Sequence, residues 1–191
     1  MKKTVLTFGL ISGAIISVLM LLTVPFIDQI GFDRGLIVGY TSMVLAFLLV
    51  FFGIRSYREN VGGGYISFGR ALGVGLLIML ISCACYVITW EIVYFNFLPD
   101  FADKYANYMI EQARSSGASA DQIAKQVEEL KQFKTWYDNP FINVAFTFLE
   151  PLPVGLVMTL ISALILRKRR QDLQNEQDQV KENPVQHVNP V

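Results

Sequence analysis

GRALGVGLLIMLISCACYVITWEIVYFNFL, residues 69–98, is the stretch that decides the fold. From Ala71 to Trp90 it holds no charge. About 20 apolar residues in a helix rising ~1.5 Å each cross the ~30 Å hydrocarbon core of a bilayer. Charge stands at Arg70 on one side and returns at Glu91 on the other. The Glu91 end also carries Trp90, Tyr94, Phe95 and Phe97, and Trp and Tyr are ring types that settle at membrane–water interfaces. Cys83 and Cys85 lie inside the run. Two residues apart on a helix they point ~200° apart, so they do not bond to each other and read as small packing residues.

Three more stretches share this character. Residues 4–27 follow Lys2 and Lys3; the run exceeds the ~7–15 residues of a signal-peptide core, and no small-x-small cleavage site follows it, so it reads as a span. Residues 35–54 are uncharged again, and a short polar turn joins the two. Residues 141–166 form the last run, interrupted by Glu150-Pro151-Leu152-Pro153. The chain is 53% hydrophobic with a mean hydropathy of +0.42, more apolar than soluble domains of this size. Its 16 basic and 16 acidic residues balance, so net charge points to no nucleic acid partner. With His187 as the single histidine, zinc sites and His-based triads are excluded within one chain. No metal and no cofactor is expected. The spans offer Ser, Thr and Cys with no His or Lys beside them, which argues against an enzyme.

Between the second and third spans lies Arg55-Ser56-Tyr57-Arg58-Glu59-Asn60-Val61-Gly62-Gly63-Gly64-Tyr65-Ile66-Ser67-Phe68-Gly69-Arg70. The glycine triplet lacks the Lys-Ser/Thr of a phosphate-binding loop and a strand before it, so it reads as a turn that lets the chain re-enter the membrane. Ser67 is placed to cap the third helix. Arg55-x-Tyr57-Arg58-Glu59 followed by Gly63-Gly64-Tyr65-Ile66-Ser67-Phe68-Gly69 resembles the central signature of a bacterial membrane family called domain of unknown function 4199. Gly9 to Gly13 in the first span, the polar helical insert and the last helix ending in basic residues agree with it, over about residues 4–170. The resemblance implies a small four-helix integral protein of the bacterial inner membrane. It brings no established activity and no catalytic residues.

Residues 99–140 are the one sizeable polar segment. Phe101, Tyr105, Tyr108 and Met109 form one apolar stripe, and Ile123, Val127, Leu130 and Phe133 a second. Ser119 with Gln122 is a capping-box pair. A helical hairpin this short buries little core alone, so its stripes must face each other, the membrane surface or a partner. Residues 167–191 read as a basic, disordered cytoplasmic tail that opens with the cluster Arg167, Lys168, Arg169 and Arg170. Lys2, Lys3, Arg55, Arg58, Arg70 and the 167–170 cluster all fall on one side of a four-span path, whereas the insert carries more acidic than basic residues. The positive-inside rule then puts both termini in the cytoplasm. The expected fold is all-α: an integral membrane four-helix bundle of two transmembrane hairpins, with spans at about 4–27, 35–54, 70–98 and 141–166. An extracytoplasmic amphipathic helical hairpin separates spans three and four.

Glu91 and Glu150 are the acidic groups closest to the hydrocarbon. Counted at ~1.5 Å per residue, Glu91 stands about 30 Å above Ala71 and Glu150 about 24 Å above Leu166. Two readings stand. A carboxylate beside a proline-broken helix is how transporters build ion sites, with Trp90 and Tyr94 completing a candidate intramembrane polar site. Alternatively both carboxylates sit in the interface with Trp90 and Tyr94 as belt aromatics. Arg55, Arg58, Arg70, Arg167, Lys168, Arg169 and Arg170 are candidate contacts for anionic lipid headgroups. Small residues at four-residue spacing, such as Gly9, Gly13 and Ser17, read as seams where helices approach, within one bundle or between copies in a homo-oligomer. The leading expectation is a non-enzymatic structural or interaction module that meets the lipid bilayer and a membrane or envelope protein through residues 99–140. The alternative is a small transporter or channel-like protein using Glu91 and Glu150.

Overall fold

A computed structural model describes residues 1–168; Arg169, Arg170 and the rest of the tail read as disordered lie outside the described residues. Helix α1 runs Lys2–Thr23 and passes through a single 3-10 turn, Val24–Phe26, into the four-residue helix α2, Ile27–Ile30. Then come α3 Phe32–Asn60, α4 Phe68–Phe97, α5 Phe101–Ser115, α6 Ala120–Tyr137, α7 Pro140–Leu149 and α8 Pro151–Leu166. No strand forms among the described residues. Four helical segments are long and apolar enough to cross a membrane: Lys2–Ile30, Phe32–Asn60, Phe68–Phe97 and Pro140–Leu166.

The helix ends follow local chemistry. Ser67 accepts a hydrogen bond from the Arg70 amide at 3.4 Å and starts α4. Ser119 and Gln122 exchange both bonds of a capping box at the start of α6. Gly31 (φ 82°) turns the chain between α2 and α3. Gly63 (φ 63°) and Gly64 (φ 87°) turn it before α4, a backbone region that side chains with a Cβ avoid. Ile66 and Lys168 then exchange backbone bonds of 3.1 and 3.0 Å, pinning the entry to α4 against the exit from α8.

Helices α3 and α4 meet across the middle of the bundle. α1 packs on both from one flank and α8 on both from the other. Phe47, Val50 and Ile54 of α3 and Val74, Ile78 and Met79 of α4 fill the centre, all at most 2% exposed. Lipid tails are as apolar as these side chains, so the hydrophobic effect does not hold one span to another; close packing and interhelical hydrogen bonds do. The small residues supply both. A Cβ on Gly13 would stand 2.6 Å from the Cβ and Sγ of Cys85, and one on Gly75 would stand 2.7 Å from Thr159. The Ser12 hydroxyl donates to the Ala46 carbonyl at 2.8 Å, and Ser82 donates to the Gly9 carbonyl at 3.3 Å. The stripes divide in two. Gly9, Gly13, Gly75 and Gly155 are filled by neighbours within this chain, whereas Gly69 and Gly73 face open space.

Gly13→Leu drives a side chain into Cys85 and should lower stability by about 1–3 kcal/mol, the usual range for overpacking. Gly73→Leu should leave it unchanged or slightly raised, since nothing lies within 4 Å. Thermal unfolding of both variants in detergent micelles, followed by near-ultraviolet circular dichroism, measures the difference.

Candidate functional site

Tyr86, Trp90 and Tyr94 recur every four residues and so share one face of α4. Each carries a polar tip on an apolar ring, and each tip is answered. The Tyr86 hydroxyl donates to Glu150 Oε2 at 2.7 Å. Trp90 Nε1 donates to the Tyr137 hydroxyl at 3.0 Å. The Tyr94 hydroxyl donates to Asp138 Oδ1 at 2.8 Å. Two rungs therefore hold the end of α6, and one holds the joint between α7 and α8. Behind them, fully buried Asn143 donates to the Tyr137 carbonyl at 3.1 Å and accepts from Thr147 at 3.0 Å.

Glu150 owes its position to the prolines. Pro151 and Pro153 have no N–H to give to Thr147 and Leu149, so the i→i−4 ladder is interrupted there. The helix ends at Leu149 and restarts at Pro151, with Glu150 in the gap. Counted from Ala71, Tyr86 stands about 22 Å along α4, close to the ~24 Å estimated for Glu150 along α8 at ~1.5 Å per residue.

The Tyr86–Glu150 contact borders a chamber of about 360 Å³. Ile16, Leu19 and Met20 of α1 and Gly35, Gly39 and Met43 of α3 wall it. Tyr86 and Trp90 form its α4 side, and Phe101, Tyr105, Leu130, Phe133 and Tyr137 roof it. Glu150 is the carboxylate among the lining residues, and Lys134 is the ammonium. Lys134 already binds both oxygens of Asp103. Among the described residues Glu150 Oε1 accepts no hydrogen bond, so the carboxyl keeps an unused acceptor at the chamber.

The roof is fastened to α2 and the start of α3. Phe32 packs against Phe101, Tyr105 and Tyr108 with ring centroids 5.8, 5.5 and 5.1 Å away. The stripe of α5 thus finds its cover on the first turn of α3. Tyr108 donates to Asp33, and Lys104 donates to Asp28 at 2.8 Å. Hydrogen bonds to Asp28 and then Asp100 raise the Lys104 ammonium above its ordinary range, and Asp103 does the same for Lys134. On the opposite edge of the roof, burial pushes the Tyr137 phenol up; Thr147 and Trp90 pull against it, and the Glu150 and Glu91 carboxylates add to it.

The sequence-derived candidates are distributed as follows. Glu150 and Trp90 line the chamber; Tyr94, 3% exposed, stands one turn beyond. Glu91 does not line it. It lies five residues after Tyr86, about 140° around the helix and ~7.5 Å further along, which separates the two carboxylates. Its Oε1 is buried and has no hydrogen-bond partner among the described residues. Of the basic candidates, Arg58 donates to the Leu166 carbonyl at 3.3 Å and closes the end of α8, while Glu59 binds both Arg55 and Arg58. Arg70 borders a second, apolar groove with Met1 and Ser67. Arg167 is the C-cap of α8, and Lys168 forms the bridge to Ile66. Tyr86, Tyr137, Asn143 and Phe32 were not singled out by periodicity or charge. The spacing of Tyr86 with Trp90 and Tyr94 was the available signal.

Tyr86→Phe removes the donor that answers Glu150 and should lower stability by about 1–2 kcal/mol, the scale of a buried hydrogen bond. Glu150→Gln keeps an acceptor for Tyr86 and should cost less. The two unfolding midpoints in detergent, compared at one pH, decide the order.

No curated protein and no solved structure matches the chain. The model of a family described as "Protein of unknown function (DUF4199)" matches residues 7–168, spanning all four apolar helices, the glycine turn and the helical insert. With nearly the whole described chain inside that match, this protein is a member of the DUF4199 family.

Proposed function

We propose that this is a non-enzymatic, multi-pass protein of the bacterial inner membrane that holds a small amphipathic molecule in the chamber beneath α5 and α6. The observation that carries the proposal is the chamber itself. It has about 360 Å³ of space, apolar walls, and a carboxylate with its tyrosine donor at the membrane-facing end. Ligand sites are concave, mostly apolar and supplied with few polar groups, and their volumes run from ~300 to 1,000 Å³. A carboxylate at a proline-broken span is also the kind of intramembrane polar group that marks a binding or transport path.

In this proposal α1 with α3, and α4 with α7–α8, form two transmembrane hairpins. Both termini are cytoplasmic, and α5–α6 is an extracytoplasmic roof. Support comes from charge: Lys2, Lys3, Arg55, Arg58, Arg70, Arg167 and Lys168 lie toward the ends of the spans remote from α5 and α6, as the positive-inside rule requires of cytoplasmic ends. A role confined to partner docking through the α5 stripe is less well supported, because Phe32 already covers that stripe.

Alkaline phosphatase inserted at Gly117 should be active and the same reporter fused after Lys168 inactive; the reverse pattern removes the proposed orientation. For the chamber, Trp136→Phe leaves Trp90, a lining residue, as the single tryptophan. In nanodiscs ω-bromoundecanol should quench it saturably. Gly39 also lines the chamber, and a Cβ there meets nothing within 4 Å. Gly39→Leu should therefore fold normally and weaken the saturable quenching at least tenfold. Quenching that only rises linearly with probe, as simple partitioning gives, overturns the chamber.

A further inference from the structure

The chamber brings one underused carboxylate together with several aromatic rings. Among the described residues nothing donates to Glu150 Oε1, while Oε2 is held by Tyr86. Tyr86, Trp90 and Tyr137 border the same space, and Trp90 and Tyr137 are fixed relative to each other by their 3.0 Å hydrogen bond. An anion beside the faces of Trp and Tyr is the arrangement that recognises an ammonium group: the carboxylate supplies charge, and the ring quadrupoles supply cation–π attraction that strengthens out of water. The competing cation is not available for Glu150. Lys134 is held by both oxygens of Asp103, at 2.5 and 2.6 Å, on the roof. Two of the lining donors that would favour an anion are engaged: Tyr86 donates to Glu150, and Trp90 donates to Tyr137. The wall that α1 and α3 supply is mostly apolar, with Ile16, Leu19, Met20, Leu36 and Met43 among its residues, and suits a hydrocarbon body.

We infer that the chamber takes an amphiphile whose polar end is a protonated or quaternary amine, seated on Glu150 and framed by Tyr86, Trp90 and Tyr137. The inference rests on the chamber being a binding site, as proposed above, and adds the chemical class of its occupant. The ammonium enters the polar end, and its hydrocarbon lies between α1 and α3. Such a group could belong to a free alkylamine or to an aminophospholipid headgroup reaching in from the bilayer; at about 360 Å³ the chamber has no room for both acyl chains of the latter.

The test uses the full chain with Trp136→Phe in nanodiscs of phosphatidylglycerol. ω-Bromoundecylamine and ω-bromoundecanol carry the same chain and the same quencher, so their affinities differ through the head alone. The amine should bind at least tenfold more tightly than the alcohol. Glu150→Gln should remove most of that ratio while leaving saturable quenching by the alcohol, which reports an intact chamber. The ratio is compared between wild type and variant in one membrane, so attraction of the amine to anionic lipid cancels. If Glu150→Gln fails to fold, displacement of ω-bromoundecanol from the unaltered chamber replaces it, in nanodiscs of zwitterionic phosphatidylcholine so that lipid charge favours neither competitor: undecylamine should compete at least tenfold better than undecanoate. Equal affinity of amine and alcohol, or a ratio unchanged by Glu150→Gln, overturns the ammonium assignment and leaves the chamber standing. Absence of saturable quenching by either probe removes the chamber as well. Phosphatidylethanolamine added to the nanodisc separates the two sources. Competition with the amine assigns the site to a lipid headgroup, and no competition assigns it to a free amine; either supports an ammonium occupant.

Discussion

A carboxyl group set some 24 Å along a membrane span has to be answered by a donor, and the Tyr86 hydroxyl that answers Glu150 is the contact on which the rest of the site depends. Both partners are delivered by constraints that lie elsewhere. Glu150 is in the break because two prolines flank it on the α8 side and withhold their amides. Tyr86 is in place because α4 is the central helix, packed against α1, α3 and α8 along its length. Once that rung is set, the four-residue repeat of α4 carries Trp90 to Tyr137 and Tyr94 to Asp138, and the end of α6 is fixed over the bundle.

The chamber follows from the same packing rule that closes the rest of the bundle. Where the spans press together, glycines receive a neighbour's side chain: Ile81 at Gly9, Cys85 at Gly13, Met79 at Gly155. Such filling lets helices approach where no hydrophobic effect acts between them. At the upper end of α3 the rule lapses. α1 stops at Thr23, and the chain turns through Val24–Phe26 into the short α2. Ile27 reaches over Gly35, yet nothing within 4 Å approaches the position where Gly39 would carry a Cβ. The opening is a consequence of one helix ending early beside a glycine, with the helical insert laid across the gap.

Most of the coarse fold is legible in the residue pattern, because a bilayer imposes a length and an apolar composition that no soluble element shares. Four helices long and apolar enough to span, the Ser67 cap, the capping box at Ser119 and the break at Glu150-Pro151 are all local signals, and local signals survive in a linear sequence. The site was legible only in part. Glu150 and Trp90 stood out by charge and ring type. Tyr86 did not, since a tyrosine in an uncharged run looks like one more large apolar residue until its partner is known. Depth along the helix suggested that Glu91 and Glu150 were comparable. Depth says nothing about direction around the axis, and the turn of about 140° between Tyr86 and Glu91 is what sets Glu91 apart. The cover of the α5 stripe was hidden for a related reason: Phe32 is the first residue of α3, some seventy residues away, a contact made by topology rather than by any repeat.

The two edges of the roof are held by different physics. Along α4 and α7 the donor side chains are sheltered: Trp90 is 9% exposed, Tyr94 3%, and Asn143 fully buried behind them. Removing a partner there strands a polar group in an apolar setting. Along α2 and α3 the roof rests on the rings around Phe32 and on ion pairs that water reaches, Lys104 with Asp28 and Lys134 with Asp103 within the roof itself. Exposed pairs of that kind contribute little and weaken with salt. Gly31 and Gly39 lie on this same side, and a Cβ at either would meet nothing within 4 Å. The roof is therefore anchored where Glu150 must keep its donor and lightly fastened where the chamber meets α3. The polar end of the chamber can stay organised while the α3 edge yields, because the bonds that organise the one are not the bonds that close the other.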